Sequence, residues 1–357
     1  GSSGAILSYI MCKGMNRDPL AKLGLKYPLV VAPMAGGPSS PELVIASSQA
    51  GALGSVGAAY SNPAAITGFV EKVRAHTDRP FAINLFIQHP EPQVDASMIE
   101  RAVAATAKYR TELDLPEPSF SAPYEEDFDQ QFDAVLQAKP EVLSFVFGVL
   151  RAEHVRAARK AGMLIVGTAT TPEEAQALEE SGVDAITLLG FEAGGHRGIF
   201  DPSAADPELG LADLLAQSLR KVKVPLIAAG GIMTAADIRS ALAMGASAVQ
   251  MGTAFLSTTE AGTSAPYRTA LQGVERTTRT TRAFSGRFAR GVVNRFMNEV
   301  DAAAVMPFPA QNKFTRDIRA ASAAKGSADF LSLWAGTGRG ELWQGSAAGL
   351  IEKLFAD

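Results

Sequence analysis

One cysteine, Cys12, is all that the 357 residues carry, and that scarcity excludes two chemistries at once. A lone thiol closes no intrachain disulfide and builds no thiolate zinc cluster, so a reducing, cytoplasmic setting fits. Charge of one sign is also lacking: 33 Lys and Arg stand against 37 Asp and Glu, a net charge of −4, with no basic block. Nothing in that balance grips a phosphate backbone or an anionic bilayer, so neither nucleic acid nor membrane is expected as a partner. No apolar run reaches the roughly 18 residues that a membrane span needs. The opening Gly1-Ser2-Ser3-Gly4 lacks the charged region of a secretion signal. It reads as a cloning remnant, with residues 1–18 as a leader and Met11 or Met15 as candidate native starts. What is present is ordinary globular composition, 47% apolar, enough for one large α/β barrel or two smaller domains.

A repeat lies in the spacing. Four segments begin on a polar or capping residue, continue in a helical pattern, and reach a glycine eleven residues later before a short apolar run. They start at Ser40, Arg151, Thr171 and Thr234, and their glycines are Gly51, Gly162, Gly182 and Gly245. Glycine suits the residue just past a helix, where the chain turns left-handed. Thr171-Pro172-Glu173-Glu174 has the form of a capping box with proline in the first turn. Each segment is the helix-to-strand half of a βαβ unit. Continuous apolar runs at 28–32, 53–56, 81–86, 142–148, 163–167, 185–189, 225–229 and 248–252 supply eight strands buried on both faces.

Eight such strands over about 250 residues point to an α/β fold, a (β/α)8 TIM barrel with inserted and C-terminal, mostly helical cap segments. The rival, an open doubly wound sheet, has no reason to stop at eight. The barrel is expected over residues 19–260 and 326–357, and the caps over 87–124 and 261–325. A helical pattern at Asp95–Tyr109 falls in the first cap, and past Gly252 the strand pattern ends. The tail Ala347–Phe355 is apolar at helical spacing and should pack on the barrel wall.

In this fold chemistry collects on the loops after the strands. The Gly230-Gly231 turn and Gly252-Thr253 can present amides and a hydroxyl to a phosphate, although a glycine pair also simply turns the chain into the helix near Thr234. No Walker pattern is present. His196 is flanked by Gly194, Gly195 and Gly198, which leave room for a flat ligand or small substrate to approach the imidazole, and histidine is a natural general base for a carbon acid. The bland alternative is a loop histidine bonded to backbone. His76, His89 and His154 lack such neighbours and read as structural or exposed. Glu192 and Arg197 are paired in a loop-holding salt bridge on this reading. Asn84 is either a satisfied buried amide or a partner for a planar heterocycle, with the second favoured. No second ligand stands near His196, so no metal is expected.

Taken together, Ala-Pro-Met-Ala-Gly-Gly-Pro at 32–38, Asn-Leu-Phe at 84–86, Glu-Ala-Gly-Gly-His-Arg-Gly at 192–198, Ala-Ala-Gly-Gly-Ile at 228–232 and Gln-Met-Gly-Thr-Ala-Phe-Leu at 250–256 resemble the nitronate monooxygenases, formerly 2-nitropropane dioxygenases, class I in particular. Phe284-Ser285-Gly286-Arg287 and Trp334-Ala335-Gly336-Thr337-Gly338 look like further family segments. The resemblance implies FMN held at Pro33, Met34, Asn84, Gly194, Gly231, Gln250, Met251, Gly252 and Thr253, with Gly195 and Gly230 in the same loops and His196 as catalytic histidine. It implies oxidation of an alkyl nitronate, or of a nitroalkane after His196 takes its α-proton, by O2 to a carbonyl compound and nitrite through a flavin semiquinone. Propionate 3-nitronate is the substrate the family suggests; Lys313 and Arg287 are candidates to meet its carboxylate. A homodimer is compatible with the chain, and Phe314, Phe330, Leu331 and Trp334 read as core or interface. The family pattern often has an amide side chain where this chain has Leu189, and pocket tyrosines near Met306-Pro307-Phe308-Pro309, where Phe308 lacks the hydroxyl. Related barrels are flavin-dependent NAD(P)H reductases of the enoyl-acyl-carrier-protein or quinone type, which is the alternative function. A flavin-binding barrel without turnover is a third.

Overall fold

The computed structural model describes residues 19–273 and 276–356, and the leader with Met11, Cys12 and Met15 lies outside them. Eight parallel strands occupy Leu29–Val31, Gly54–Gly57, Phe81–Phe86, Val142–Val146, Leu164–Ala169, Ala185–Leu189, Leu226–Ala229 and Ala248–Met251. They are the runs expected from the sequence, and they are called first to eighth below. Each pairs with its successor, the first pairs with the eighth, and a parallel bridge between Val30 and Leu53 closes the ring. The fold is a (β/α)8 barrel.

Strand periodicity sorts the side chains into two shells. Leu29 and Val31, or Phe81, Ile83 and Leu85, pack outward under the helices in the main hydrophobic core. Val30, Ala82, Val142, Val166, Ala185, Ile227 and Ala248 from seven strands, with Leu53 just before the second strand, fill the lumen, and Leu23 joins them. Two residues further along several of the strands the lumen turns polar: Asn84 follows Ala82, Ser144 follows Val142, Thr187 follows Ala185 and Gln250 follows Ala248. An apolar floor under a polar layer prepares the carboxyl end of the barrel for a ligand.

The predicted helix starts are the observed ones. Ser40, Arg151, Thr171 and Thr234 are N-caps, and Gly51, Gly162, Gly182 and Gly245 turn the chain at φ of +94°, +85°, +91° and +110°. The capping box differs in place. Thr171 accepts from the Glu174 amide, but the Glu174 carboxylate reaches past it to the Thr170 amide and hydroxyl, and to the Phe200 amide in the loop that follows His196. The reciprocal box is at Thr234 and Asp237.

The caps share a core of their own. Tyr109, on the helix Ala96–Glu112, and Leu113 pack with Phe284, Phe296, Ile318 and Phe330 from the later segment. Each fully buried ring contributes roughly 1.5–3 kcal/mol. Phe330 and Leu331 lie in the 326–346 stretch, expected as barrel, and pack in these outer clusters. The helix Ala347–Phe355 returns to the barrel wall through Ala347, Leu350, Ile351 and Leu354, and Leu342 and Trp343 pack against the same core.

Strand pattern does continue past Gly252, against the sequence expectation. Thr278–Thr281 and Ala289–Val292 form an antiparallel pair, and Ala289–Val292 also pairs with Gly195–His196. The Arg and Thr side chains that hid these strands in the sequence suit a half-exposed ribbon.

Candidate active site

Pro33, Met34, Asn84, Gly194, Gly195, His196, Gly230, Gly231, Gln250, Met251, Gly252 and Thr253 line one cavity of about 590 Å³ at the carboxyl ends of the strands. That volume is within the range of small-molecule sites. The barrel aims these residues. Strand register sets Asn84 opposite Ser144, and the Asn84 Nδ2 donates to the Ser144 Oγ at 3.0 Å, so part of its amide is engaged within the lumen. Thr253 Oγ1 accepts from the Gly336 amide at 3.0 Å and keeps its own hydrogen to donate.

The glycines have separate reasons. A Cβ on Gly194 would stand 2.5 Å from the Ala335 carbonyl carbon and 2.6 Å from the Gly336 amide, and one on Gly198 would meet Val146 at 3.1 Å. Both positions are required by the protein's own packing, and Gly194 lines the cavity as well. Gly195, at φ +77°, alone of the three faces open space. Gly230 and Gly231, at φ +122° and +72°, turn the seventh strand's loop tightly against Ala193 and Glu192 just before the helix Ala235–Ala243.

His196 is fixed by its short strand and by Ser285, whose Oγ lies 2.9 Å from its Nε2. Four aromatic rings surround the imidazole: Phe86 and Phe147 at 5.9 Å, Phe308 at 6.0 Å and Trp334 at 5.6 Å. Burial, with Arg287 and Arg319 adding like charge, pushes its pKa down to about 3, so the ring is neutral at pH 7. Tyr60, also on the cavity wall, is pushed up to about 12 by burial and stays a protonated phenol.

Several sequence readings are corrected here. Glu192 and Arg197 do not pair. Arg197 is fully buried, ion-paired to Asp206 at 2.7 Å and bonded to the Leu189 and Gly190 carbonyls, while Glu192 accepts from the Leu211 amide. Lys313 donates to the Ser121 and Pro123 carbonyls, and Arg287 is buried behind His196, so neither lines the cavity. Arg316, Arg319 and Asn312 line it instead. Trp334, read as core or interface, is a cavity wall. The cap arginines were missed because nothing local marks them; only the fold brings the helix Arg316–Ala324 over the barrel mouth. Among the described residues no group of three His, Cys, Asp or Glu side chains could hold a metal ion, and no helix is long and apolar enough to cross a membrane.

Comparison with known families matches residues 17–357 to the nitronate monooxygenase family. A nitronate monooxygenase of Pseudomonas aeruginosa is 37% identical over 343 residues, covering 94% of this chain and 97% of the relative. A probable nitronate monooxygenase of Staphylococcus aureus is 36% identical over 326 residues, 90% and 91% of the two chains. Among solved structures, a nitroalkane oxidase from Streptomyces ansochromogenes superposes with a TM-score of 0.88 at 38% identity, covering 94% of this chain and 96% of the other. FabK from Thermotoga maritima shares the fold, with a TM-score of 0.71 at 23% identity over 95% of this chain and 94% of the other.

Proposed function

The chain belongs to the nitronate monooxygenase family, and from that membership we propose that it holds FMN in the barrel-mouth cavity and oxidises an anionic alkyl nitronate with O2 to a carbonyl compound and nitrite. The observation that carries the reading is the convergence of the glycine-bearing loops and His196 on one cavity. A flavin mononucleotide fits the residues present. The Gly230-Gly231 and Gly252-Thr253 loops suit its phosphate, Gly194, Gly195, Gln250 and Met251 its chain, and Pro33, Met34 and Asn84 its ring. When bound, FMN supplies the redox centre between substrate and O2.

The chain's own residues set what is oxidised. An imidazole held near 3 is free to accept a proton yet is a weak base, and its surroundings are already positive through Arg287 and Arg319. Such a site suits a substrate that arrives as an anion, a nitronate, better than a neutral nitroalkane that must first lose a proton. Phe86 and Trp334 on the cavity wall keep water from the reacting carbon, and Phe147 and Phe308 pack around His196 beside them. Arg316 and Arg319 offer guanidinium groups to a carboxylate at the far end of the substrate, as propionate 3-nitronate would bring. The test is oxygen uptake and nitrite release when propionate 3-nitronate meets FMN-loaded protein. Nitrite and carbonyl product in equal yield support the reading, and no oxygen uptake with any alkyl nitronate overturns it.

A further inference from the structure

Behind His196 lies a buried cation without a counter-ion. Arg287 is 3% exposed, and no carboxylate among the described residues comes within ion-pair distance of it. Its Nη2 donates to the Ile199 carbonyl, but its Nε and Nη1 are buried with no hydrogen-bond partner. The guanidinium lies 3.8 Å from the centre of the Phe147 ring and 5.9 Å from that of Phe308, and these are two of the four rings around His196. The Arg287 amide donates to Ser285 Oγ at 3.3 Å, and that oxygen is the atom beside His196 Nε2.

The Phe147 ring and the Ile199 carbonyl offset part of the cost of burying Arg287, but stability alone is a weak reason to keep it. An unpaired buried charge with orphaned donors destabilises a fold, and an apolar side chain of similar volume is commonly as good or better. What Arg287 does touch is the His196 assembly from three sides: the loop that leaves it at Ile199, two of its rings, and its serine. We propose that Arg287 is a positioning residue for His196, bracing the loop and rings that aim the imidazole while its uncompensated charge opposes a second positive charge on that ring. This rests on the reading of His196 as the group that meets the substrate.

The charged surroundings support it. Glu174, Asp201 and Glu125 attract Arg287 from a distance and Arg282 repels it, but none is paired with it. Glu174 is engaged by Thr170 and Phe200, and Asp201 by Ser203. Towards His196 the charged groups are Arg287 and Arg319, both positive. Replacing Arg287 therefore leaves one cation where there were two, and the imidazole becomes easier to protonate.

The experiment is an NMR titration of ring-labelled histidines in the FMN-loaded protein, with His196 assigned through His196→Asn. In Arg287→Met the His196 titration should move up by about one unit or more, while Arg287→Lys, which keeps the charge, stays within about half a unit of wild type. The melting temperature of Arg287→Met should be unchanged or higher. Equal movement in both variants, no movement in either, or a steep fall in melting temperature overturns the proposal and leaves Arg287 a packing residue. Arg287→Gln gives the same reading if Arg287→Met is poorly produced, and loss of the fold in both also overturns it. A titration that shifts as expected in a protein inert towards nitronates would sink the functional reading while leaving this one standing.

Discussion

The His196 imidazole is neutral at pH 7. If its part is to take a proton from neutral nitroalkanes, His196→Asn should lower kcat/KM for a nitroalkane by about 100-fold or more, and for the matching nitronate by much less. Parallel steady-state assays on the two forms of one compound check this; equal losses would mean that His196 orients substrate without acting as a base. The same residue shapes acid stability. Its folded pKa, about 3, is below the ordinary value of 6.5, so the unfolded chain takes up a proton first as pH falls. Stability from this group is present above pH 6.5 and drains away down to about 3, and His196→Asn should flatten that limb in denaturant titrations. At this scale His196, Asn84 and the loop glycines were legible because a strand end followed by glycine is a local signal. Trp334, Arg316 and Arg319 were not: their signal is a position in space that no spacing within the chain reveals.

Loops and helices hold those residues in place through backbone contacts that tolerate little. Gly194→Ala forces a Cβ into the Ala335-Gly336 backbone, next to Trp334 and to the amide bonded to Thr253. It should therefore cost FMN affinity at least about tenfold, read by flavin fluorescence, whereas an intact affinity would show that the 334–336 segment yields freely. Thr234→Ala removes the reciprocal cap of the helix behind the Gly230-Gly231 turn, and about 1 kcal/mol of stability should go with it in urea unfolding. Three of the four caps, Ser40, Thr171 and Thr234, could be read from sequence because Ser and Thr mark helix starts by local chemistry, and the start at Arg151 through the glycine eleven residues on; continuous apolar runs marked the eight strands. The ribbon at 278–292 could not, since Thr-Arg alternation resembles any polar loop until it pairs with Gly195–His196. The Glu192–Arg197 pairing failed for a related reason: a buried arginine takes the best acceptors the fold provides, and Asp206 with two carbonyls outcompetes its sequence neighbour.

For the whole molecule, the barrel supplies an apolar floor and a polar upper lumen, and the later cap, backed by the first through a shared aromatic core, walls the mouth. The same architecture is shared by FabK, and one fold hosts many chemistries, so the barrel alone does not decide between a nitronate oxidiser and the alternative read from the sequence, a reductase fed by NAD(P)H. What separates them is the source of electrons. The direct measurement is the visible spectrum of the FMN-loaded protein mixed without oxygen, once with propionate 3-nitronate and once with NADH. A rapid change of the flavin bands with the nitronate, and slow or no bleaching with NADH, is expected of a nitronate oxidiser. Fast, full bleaching by NADH with no response to the nitronate would contradict that reading.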